Sequence, residues 1–303
     1  MLFDLRDLTK TYGEVTALKG LTVSMPHGAI GLLGPNGSGK TTMIRTLLGL
    51  IRIDRGEGEV LGKNIKRDRL AVRRDVGFVP EDECLFPGVG GVEFVAYAGE
   101  LAGMPPHDAM QRSHEVLDYV GLGEARYRKV DSYSTGMKQR LKIASAIVHD
   151  PKMLILDEPT NGMDPEGREE VLELTRDLSR NKGMSLLFSS HLLPDVESVC
   201  EHIMVLAKGR LLAQGRIDEM KKRPLGHYEV RVKGEQGDFA EVLRRSGITV
   251  DPFEDRLRIQ LPVGTDLSRI WSLASESQEQ VRMIRPRQTT LEEVFFNALE
   301  GNV

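Results

Sequence analysis

A glycine-rich stretch near the N-terminus has the residue types and spacing of a phosphate-binding loop. Its sequence, Gly34-Pro35-Asn36-Gly37-Ser38-Gly39-Lys40-Thr41, fits the pattern GxxxxGK[ST] at every fixed position. Glycines let such a loop wrap around phosphates with its N–H groups pointing inward, and a following helix presents its positive end to the same anion. Lys40 is expected to bind the β- and γ-phosphates of a nucleotide, ATP or GTP, and Thr41 to bind Mg²⁺. We include Thr42 in this candidate nucleotide site.

A pair of carboxylates follows an apolar run later in the chain. The segment Met153-Leu154-Ile155-Leu156 leads directly into Asp157 and Glu158. Charge at the carboxyl end of a buried strand lies where α/β proteins bind ligands. Asp157 is expected to hold Mg²⁺ through water, and Glu158 to polarise the water that attacks the γ-phosphate. Alone, two acids after a strand could equally be an exposed turn, but the phosphate loop favours the catalytic interpretation.

The elements that position these residues alternate between strands and helices. The apolar run at 29–33 predicts a buried strand before the loop, and 41–48 predicts a helix after it. Further buried strands are predicted at 76–79, 153–156, 185–188 and 203–206, and helices at 110–120, 136–148, 166–180 and 193–200. The opening stretch alternates and predicts antiparallel strands joined by a turn at Tyr12-Gly13. The alternation predicts an α/β sheet with helices on its faces.

Two other regions break this pattern. The segment 87–121 has helical spacing and glycine and proline breaks, which predict a helical insertion that could contact a partner. A basic stretch at 221–226 indicates a linker, and 227–285 predicts a small domain of order βαββαβ, followed by a helix from Leu291 to Leu299. We therefore expect a main domain at 1–220, with its helical subdomain at about 87–145, and a second domain at 227–303.

Composition limits the functional classes. The net charge is −4 with both signs interspersed, so we expect no nucleic-acid partner. The two cysteines are far apart in sequence and form no CxxC pair, which favours a reducing compartment over a disulfide framework. The N-terminus lacks the apolar stretch of a signal peptide, and the longest apolar runs fall well short of the roughly 20 residues that a membrane helix needs. Any membrane connection is therefore expected to come through a partner.

The stretch Tyr133-Ser134-Thr135-Gly136-Met137-Lys138-Gln139-Arg140 resembles the signature motif of ABC ATPases. That resemblance implies that Ser134 and the Gly136 amide bind the γ-phosphate held by the opposite subunit. Alone, Ser134 would more often be a helix N-cap. The motif departs from its commonest form, Leu-Ser-Gly-Gly-Gln, at Tyr133, Thr135 and Met137. This variant form resembles the motif of the exporter branch related to daunorubicin-resistance ATPases.

Other motifs of the same family follow in order. Asn161-Gly162-Met163-Asp164 resembles the D-loop at the dimer interface, and His191, after Ser189-Ser190, resembles the switch histidine that contacts the γ-phosphate. Tyr12 occupies the position of the aromatic residue that stacks on adenine, although it could also be an ordinary hairpin tyrosine. The resemblance thus implies a catalytic set of Lys40, Glu158 and His191.

One position departs from the family pattern. After the strand at 76–79, ABC ATPases usually place a glutamine, and this chain has Glu81. A carboxylate could approach Mg²⁺ directly or through water, so we add Glu81 to the candidate metal ligands Thr41 and Asp157. We hypothesise that Glu81 couples the nucleotide state to the helical subdomain.

Together, these motifs imply an ABC cassette of the P-loop NTPase fold, with a RecA-like core, an antiparallel β subdomain and a helical subdomain, followed by a small ferredoxin-like α+β domain. The implied function is an ATPase with ATP and Mg²⁺ as cofactors. Its implied partners are a second copy, or a closely related ATPase subunit, and a separate membrane permease at the cytoplasmic face of the cell membrane. The segment 289–295 resembles the C-terminal element of drug- and polysaccharide-type exporter ATPases, which favours an exporter. An importer ATPase, or less readily a soluble ABC protein, is the alternative.

Overall fold

The computed structural model describes residues 1–221, 226–262, 264–287 and 289–300. Most of the linker predicted at 221–226 therefore lies outside the described residues. The chain divides into two compact units, the first comprising Met1–Ile217 and the chain from Phe295 onward, the second Asp218–Val294. The predicted domain boundaries differ from these units at the final helix, and they stay a prediction.

Within the residues that the structure describes, the first unit contains ten strands and most of the helices. Its strands are β1 (Phe3–Tyr12), β2 (Val15–Met25), β3 (Ala29–Leu33), β4 (Arg55–Val60), β5 (Lys63–Asn64), β6 (Val76–Val79), β7 (Met153–Asp157), β8 (Ser185–Ser189), β9 (His202–Ala207) and β10 (Arg210–Arg216). Its α-helices are α1 (Lys40–Leu47), α2 (Arg69–Asp75), α3 (Gly91–Leu101), α4 (Pro106–Tyr119), α5 (Thr135–Ile147), α6 (Pro165–Arg180) and α7 (Leu193–Val199). Two 3-10 helices, Gly123–Tyr127 and Val130–Ser132, precede α5.

A six-stranded sheet of order β10-β9-β3-β8-β7-β6 forms the centre of this unit. Its strands are parallel except β10, which pairs antiparallel with β9. Every residue of β3, β7 and β8 is buried, as expected for parallel strands covered on both faces. Because β8 lies between β3 and β7, the carboxyl ends of these three strands meet at one edge of the sheet.

A second, antiparallel sheet of order β2-β1-β4-β5 packs beside the first. Buried apolar residues from both sheets and from α1 share one hydrophobic core, which includes Phe3, Leu21, Ile30, Ile44 and Ile155. This core includes residues of both β3 and α1 and so fixes the position of the loop between them. The segment between β6 and β7 folds mainly into α3, α4 and α5, in agreement with the helical spacing at 87–121 and the helix predicted at 136–148.

The predicted strands and helices are confirmed, with ends that shift by at most four residues. The structure adds elements that the patterns did not predict, namely β4, β5, β10 and α2. Strand β4 has the sequence Arg-Gly-Glu-Gly-Glu-Val, in which glycines and charges hide the alternation of a half-buried strand. None of the helices in the described part of the chain is long and apolar enough to cross a membrane.

The second unit has the predicted order βαββαβ. Its elements are β11 (His227–Val232), α9 (Gln236–Arg245), β12 (Thr249–Phe253), β13 (Arg256–Gln260), α10 (Ser268–Glu276) and β14 (Val281–Pro286). The sheet order β12-β13-β11-β14, with every neighbouring pair antiparallel, is that of a ferredoxin-like fold. Residues such as Val230, Phe239, Leu257 and Ile270 form its own hydrophobic core. Two helices cross the division between the units, α8 (Ile217–Met220) and α11 (Leu291–Glu300).

Candidate functional site

The loop between β3 and α1 surrounds one side of a cavity of about 680 Å³. Two glycines are required by this geometry. Gly39 has a φ of 110°, which disfavours residues with a side chain. A Cβ atom at Gly34 would lie 2.3 Å from the Leu206 carbonyl oxygen and 2.5 Å from Ser38 Oγ. The Ser38 hydroxyl itself is buried and has no hydrogen-bond partner among the described residues, so it remains available to a ligand. The predicted residues Pro35 to Thr42 all line the cavity.

Lys40 and Thr41 begin α1 and face the carboxylates that follow β7. Lys40 Nζ donates a hydrogen bond of 2.8 Å to the Gly34 carbonyl and lies 3.6 Å from Glu158 Oε1. The Thr41 hydroxyl donates to Asp157 Oδ2 at 3.4 Å. The side chains of Lys40 and Glu158 are each only 8% exposed, which strengthens the ion pair because water screens it little. The structure therefore brings together residues that are more than a hundred positions apart in sequence.

The two carboxylates have different surroundings. Asp157 is buried at the end of β7, and this burial, together with the nearby charges of Glu158 and Glu81, raises the pKa of its carboxyl group. Glu158 has a φ of 48°, an uncommon conformation for a residue with a side chain, and its N–H donates to the Ser189 carbonyl at 3.0 Å. Two buried carboxylates side by side form a site that favours a cation.

His191 follows β8 and contacts Glu158. Its backbone N–H donates to Glu158 Oε2 at 3.2 Å, and its Nδ1–H donates to the same oxygen at 2.8 Å. The imidazole is half exposed and lines the cavity. The predicted catalytic residues Lys40, Glu158 and His191 thus form a connected set, with Glu158 in the middle.

Glu81 lines the same cavity from the segment after β6. Its side chain is exposed, and its Oε1 accepts a hydrogen bond of 3.3 Å from Asn161 Nδ2. The Glu81 backbone carbonyl accepts a hydrogen bond from Lys142, a residue of α5. Burial lowers the pKa of the Lys142 ammonium group.

The predicted signature residues lie at a separate place. Ser134 caps the N-terminus of α5, where its Oγ accepts a hydrogen bond of 3.3 Å from the Met137 N–H. Ser134, Gly136 and Asp164 line a second cavity of about 580 Å³. Among the residues that the structure describes, no side chain lines both this cavity and the one at Lys40. One chain therefore presents two distinct candidate phosphate sites.

Comparisons with known proteins agree with this geometry. The sequence profile of the family described as ABC transporter matches residues 18–161. The linearmycin resistance ATP-binding protein of Bacillus subtilis is 32% identical over 96% of both chains. The chain belongs to the family of ABC transporter ATP-binding proteins.

Two further matches support this assignment. A daunorubicin resistance ATP-binding protein of Streptomyces coeruleorubidus is 34% identical, over 95% of this chain and 92% of that protein. A dimeric ATP-binding cassette in a post-hydrolysis state, bound to ADP and Pi, superimposes with a TM-score of 0.64 at 25% identity, over 71% of this chain and 98% of that one. The first unit accordingly has the ABC ATPase fold, and the protein is an ATP-hydrolysing enzyme of this family.

The cassette also lines its nucleotide cavity with residues that the sequence patterns did not indicate. These are Val15, Thr16, Ala17 and Lys19 from the start of β2, and Lys208 and Gly209 from the turn after β9. The two lysines had no motif to mark them. Tyr12, the predicted adenine-stacking residue, is exposed and is absent from the described lining residues of the cavity; Lys10 Nζ lies 5.1 Å from the centre of its ring. Its adenine contact stays a prediction.

The Mg²⁺ ligands proposed from sequence can be tested against the side chains present. The described residues contain no cluster of three or more histidine, cysteine, aspartate or glutamate side chains able to hold a metal. Mg²⁺ in nucleotide sites usually takes one or two protein ligands and completes its shell with phosphates and water. The Thr41 hydroxyl and the Asp157 carboxylate, 3.4 Å apart beside the phosphate loop, fit that donor set.

Proposed function

We propose that this chain is the ATP-hydrolysing subunit of an exporter, acting as a head-to-tail dimer beneath a separate membrane permease at the cytoplasmic face of the cell membrane. Each of the two ATP sites would combine the Lys40 cavity of one subunit with the Ser134 cavity of the other. The second subunit would be another copy of this chain or a closely related ATPase.

The observation that carries this proposal is that the N-terminal end of α5 lines a cavity separate from the one at Lys40. A helix N-terminus carries partial positive charge and free N–H groups, which suit an anion. Ser134 and Gly136 present that end to the second cavity, while Lys40 and the phosphate loop line the first. A γ-phosphate bound at Lys40 in one subunit and at Ser134 in its partner would join both halves. Loss of that phosphate would let the dimer open.

Hydrolysis would use the set of residues around Glu158. Lys40 would leave Glu158 for the phosphates of ATP, which frees one oxygen of the carboxylate to polarise the attacking water. His191, bonded to the other oxygen, would hold Glu158 in position and contact the γ-phosphate. Thr41 and Asp157, with Glu81 nearby, would hold Mg²⁺, which neutralises charge on the phosphates when it is bound.

A surface of the helical segment suits the permease. Phe86 and Tyr97 are 51% and 49% exposed, and their rings meet edge to face at 6.1 Å. Phe86 also contacts Phe94 at 5.7 Å. Exposed aromatic clusters of this kind are typical of protein interfaces. Export is favoured over import because two relatives are named for resistance to antibiotics, linearmycin and daunorubicin.

The split site predicts how two variants combine. Glu158→Gln should keep ATP binding but stop hydrolysis, and so hold the protein as a dimer in the presence of ATP. Adding Ser134→Arg should abolish that dimer, because the guanidinium fills the half-site that receives the γ-phosphate, while ATP still binds to the monomer. Sedimentation with and without ATP measures the dimer, and a fluorescent ATP analogue measures binding.

The matched control is Glu124→Arg in the same Glu158→Gln background. This substitution introduces the same side chain on the exposed surface of the helical segment, so the ATP-dependent dimer should persist. If Glu158→Gln turned over ATP at the wild-type rate, Glu158 would not be the water-polarising residue. A dimer that survived Ser134→Arg would contradict the split site.

A further inference from the structure

Two lysines of α5 form hydrogen bonds with the residues Glu81–Cys84, which we call the acidic segment. Lys142 Nζ donates hydrogen bonds to the backbone carbonyls of Asp82 at 2.9 Å and Glu81 at 3.3 Å. One turn earlier, Lys138 Nζ donates to Glu83 Oε1 at 2.5 Å. The acidic segment has no helical or strand hydrogen bonds of its own, so these contacts fix its path.

The two lysines differ in how strongly their hydrogen bonds hold the acidic segment. Lys142 is only 7% exposed, and burying an ammonium group is costly unless its N–H groups are bonded. The two carbonyls supply those bonds, so moving the acidic segment would leave a buried charge without partners. The Lys138 side chain is 28% exposed and its partner Glu83 62%, a geometry in which an ion pair contributes little. Lys142 is therefore the stronger attachment.

The two elements that Lys142 joins, the acidic segment and α5, each reach a candidate phosphate site. The acidic segment begins at Glu81, which lines the Lys40 cavity. Helix α5 is capped at its N-terminus by Ser134, which lines the second cavity, eight residues before Lys142 and about 12 Å along a helix axis. A second link runs through Asn161, which bonds Glu81, while its neighbour Gly162 lines the second cavity. Lys142 thus joins the two half-sites of one chain through a rigid helix.

We propose that Lys142 is a positioning residue that fixes the Ser134 end of α5 relative to Glu81, so that occupancy of a chain's own ATP site sets the half-site it offers to its partner. The inference rests on the split-site dimer proposed above. It concerns a lysine that lies between the buried residues Leu141 and Ile143 of α5, outside every motif used to assign the function. Lys138 assists it at the surface.

The test measures ATP-dependent dimerisation in the Glu158→Gln background. Lys142→Met should raise the ATP concentration for half-maximal dimerisation about ten-fold, because the loss of buried charged hydrogen bonds frees the acidic segment from α5. Binding of a fluorescent ATP analogue to the monomer should stay unchanged, because the recorded hydrogen bonds of Lys142 Nζ go to the Glu81 and Asp82 carbonyls and not to the phosphate loop. Lys142→Arg should restore most of the dimerisation, and Lys142→Gln, which keeps an uncharged donor, should lie between. Lys138→Met should cause a shift of about two-fold.

Lys129→Met, at an exposed lysine of the helical segment, is the matched control for the loss of one positive charge. Thermal unfolding of each variant identifies any that fails to fold, and Lys142→Gln and Lys138→Met then carry the test. The proposal would be overturned if Lys142→Met dimerised at the same half-maximal ATP concentration as the parent Glu158→Gln variant. It would also be overturned if ATP binding by the Lys142→Met monomer weakened as much as dimerisation does. Failure of Glu158→Gln itself to dimerise would instead refute the split site.

Discussion

The cavity at Lys40 and the cavity at Ser134 differ in how far one chain completes them. In the first, Glu158 already contacts both Lys40 and His191, and the Lys40 and Glu158 side chains are almost fully buried. In the second, Ser134 is exposed and its recorded bond caps its own helix. Under the proposed mechanism, the buried set would exchange existing partners when ATP binds, whereas the open half-site would only gain one. In the proposed dimer, this difference assigns nucleotide binding to the monomer and completion of the site to the pair of subunits.

The largest effect should come from removing the cation of the first cavity. Lys40→Ala is expected to lower kcat/KM for ATP hydrolysis about 1000-fold, because Lys40 supplies the charge that stabilises the transferring phosphoryl group. It should also weaken binding of a fluorescent ATP analogue to the monomer at least about ten-fold. Ser134→Arg should leave this binding intact, so the two variants separate the half-sites.

The control for Lys40→Ala is Lys129→Ala, which removes an exposed lysine elsewhere in the same unit. Hydrolysis by this variant should match the wild type. Equal loss of monomer binding in Lys40→Ala and Ser134→Arg would remove the distinction between the two cavities. Near-normal hydrolysis by Lys40→Ala would show that the phosphate loop is not the catalytic site.

A second effect follows from the buried carboxylate of the first cavity. Burial raises the pKa of Asp157 above its ordinary value of 3.8, so the folded protein keeps a proton that the unfolded chain releases. This contribution to stability is present at low pH and is lost as the pH rises through the raised pKa. Asp157→Asn, which stays neutral, should therefore raise the melting temperature of the nucleotide-free protein at neutral pH. It should also reduce the fall in melting temperature that ionisation of Asp157 causes as the pH rises.

Thermal unfolding at a series of pH values from acid to neutral measures this effect. The same variant should lose most of its hydrolysis and should no longer be stabilised by ATP with Mg²⁺, because the amide is a poorer metal ligand. Ser134→Ala serves as the control, since the open half-site contains no buried carboxylate and should show the wild-type pH dependence. A lower melting temperature for Asp157→Asn at neutral pH would contradict the proposed cost of the buried charge.

Sequence patterns predicted the first cavity better than its surroundings. Strands β3, β7 and β8 are continuous apolar runs because both faces are buried, so their ends, and with them Asp157 and His191, could be placed. Strand β4 was missed because glycine and glutamate alternate along it. Lys142 was missed because a lysine in an amphipathic helix normally faces solvent; its position between buried neighbours is the signal that could have indicated it.

The smallest effect concerns Glu81, which lines the first cavity. Glu81→Gln introduces the amide expected here from the resemblance to ABC ATPases, and it can still accept the hydrogen bond from Asn161. We expect kcat to change by less than about three-fold, because an exposed charge is screened by water. The Mg²⁺ concentration for half-maximal hydrolysis should rise, since an amide binds this ion more weakly than a carboxylate does.

Glu81→Ala sharpens this experiment because it removes both the metal contact and the bond to Asn161. It should lower kcat further than Glu81→Gln does, and it should also weaken ATP-dependent dimerisation in the Glu158→Gln background. Glu83→Gln is the matched control, since Glu83 bonds only Lys138 among the described contacts and lies outside the lining of the first cavity. If Glu81→Ala left both hydrolysis and dimerisation at wild-type levels, Glu81 would not connect the two cavities, and the link would depend on the backbone that Lys142 holds.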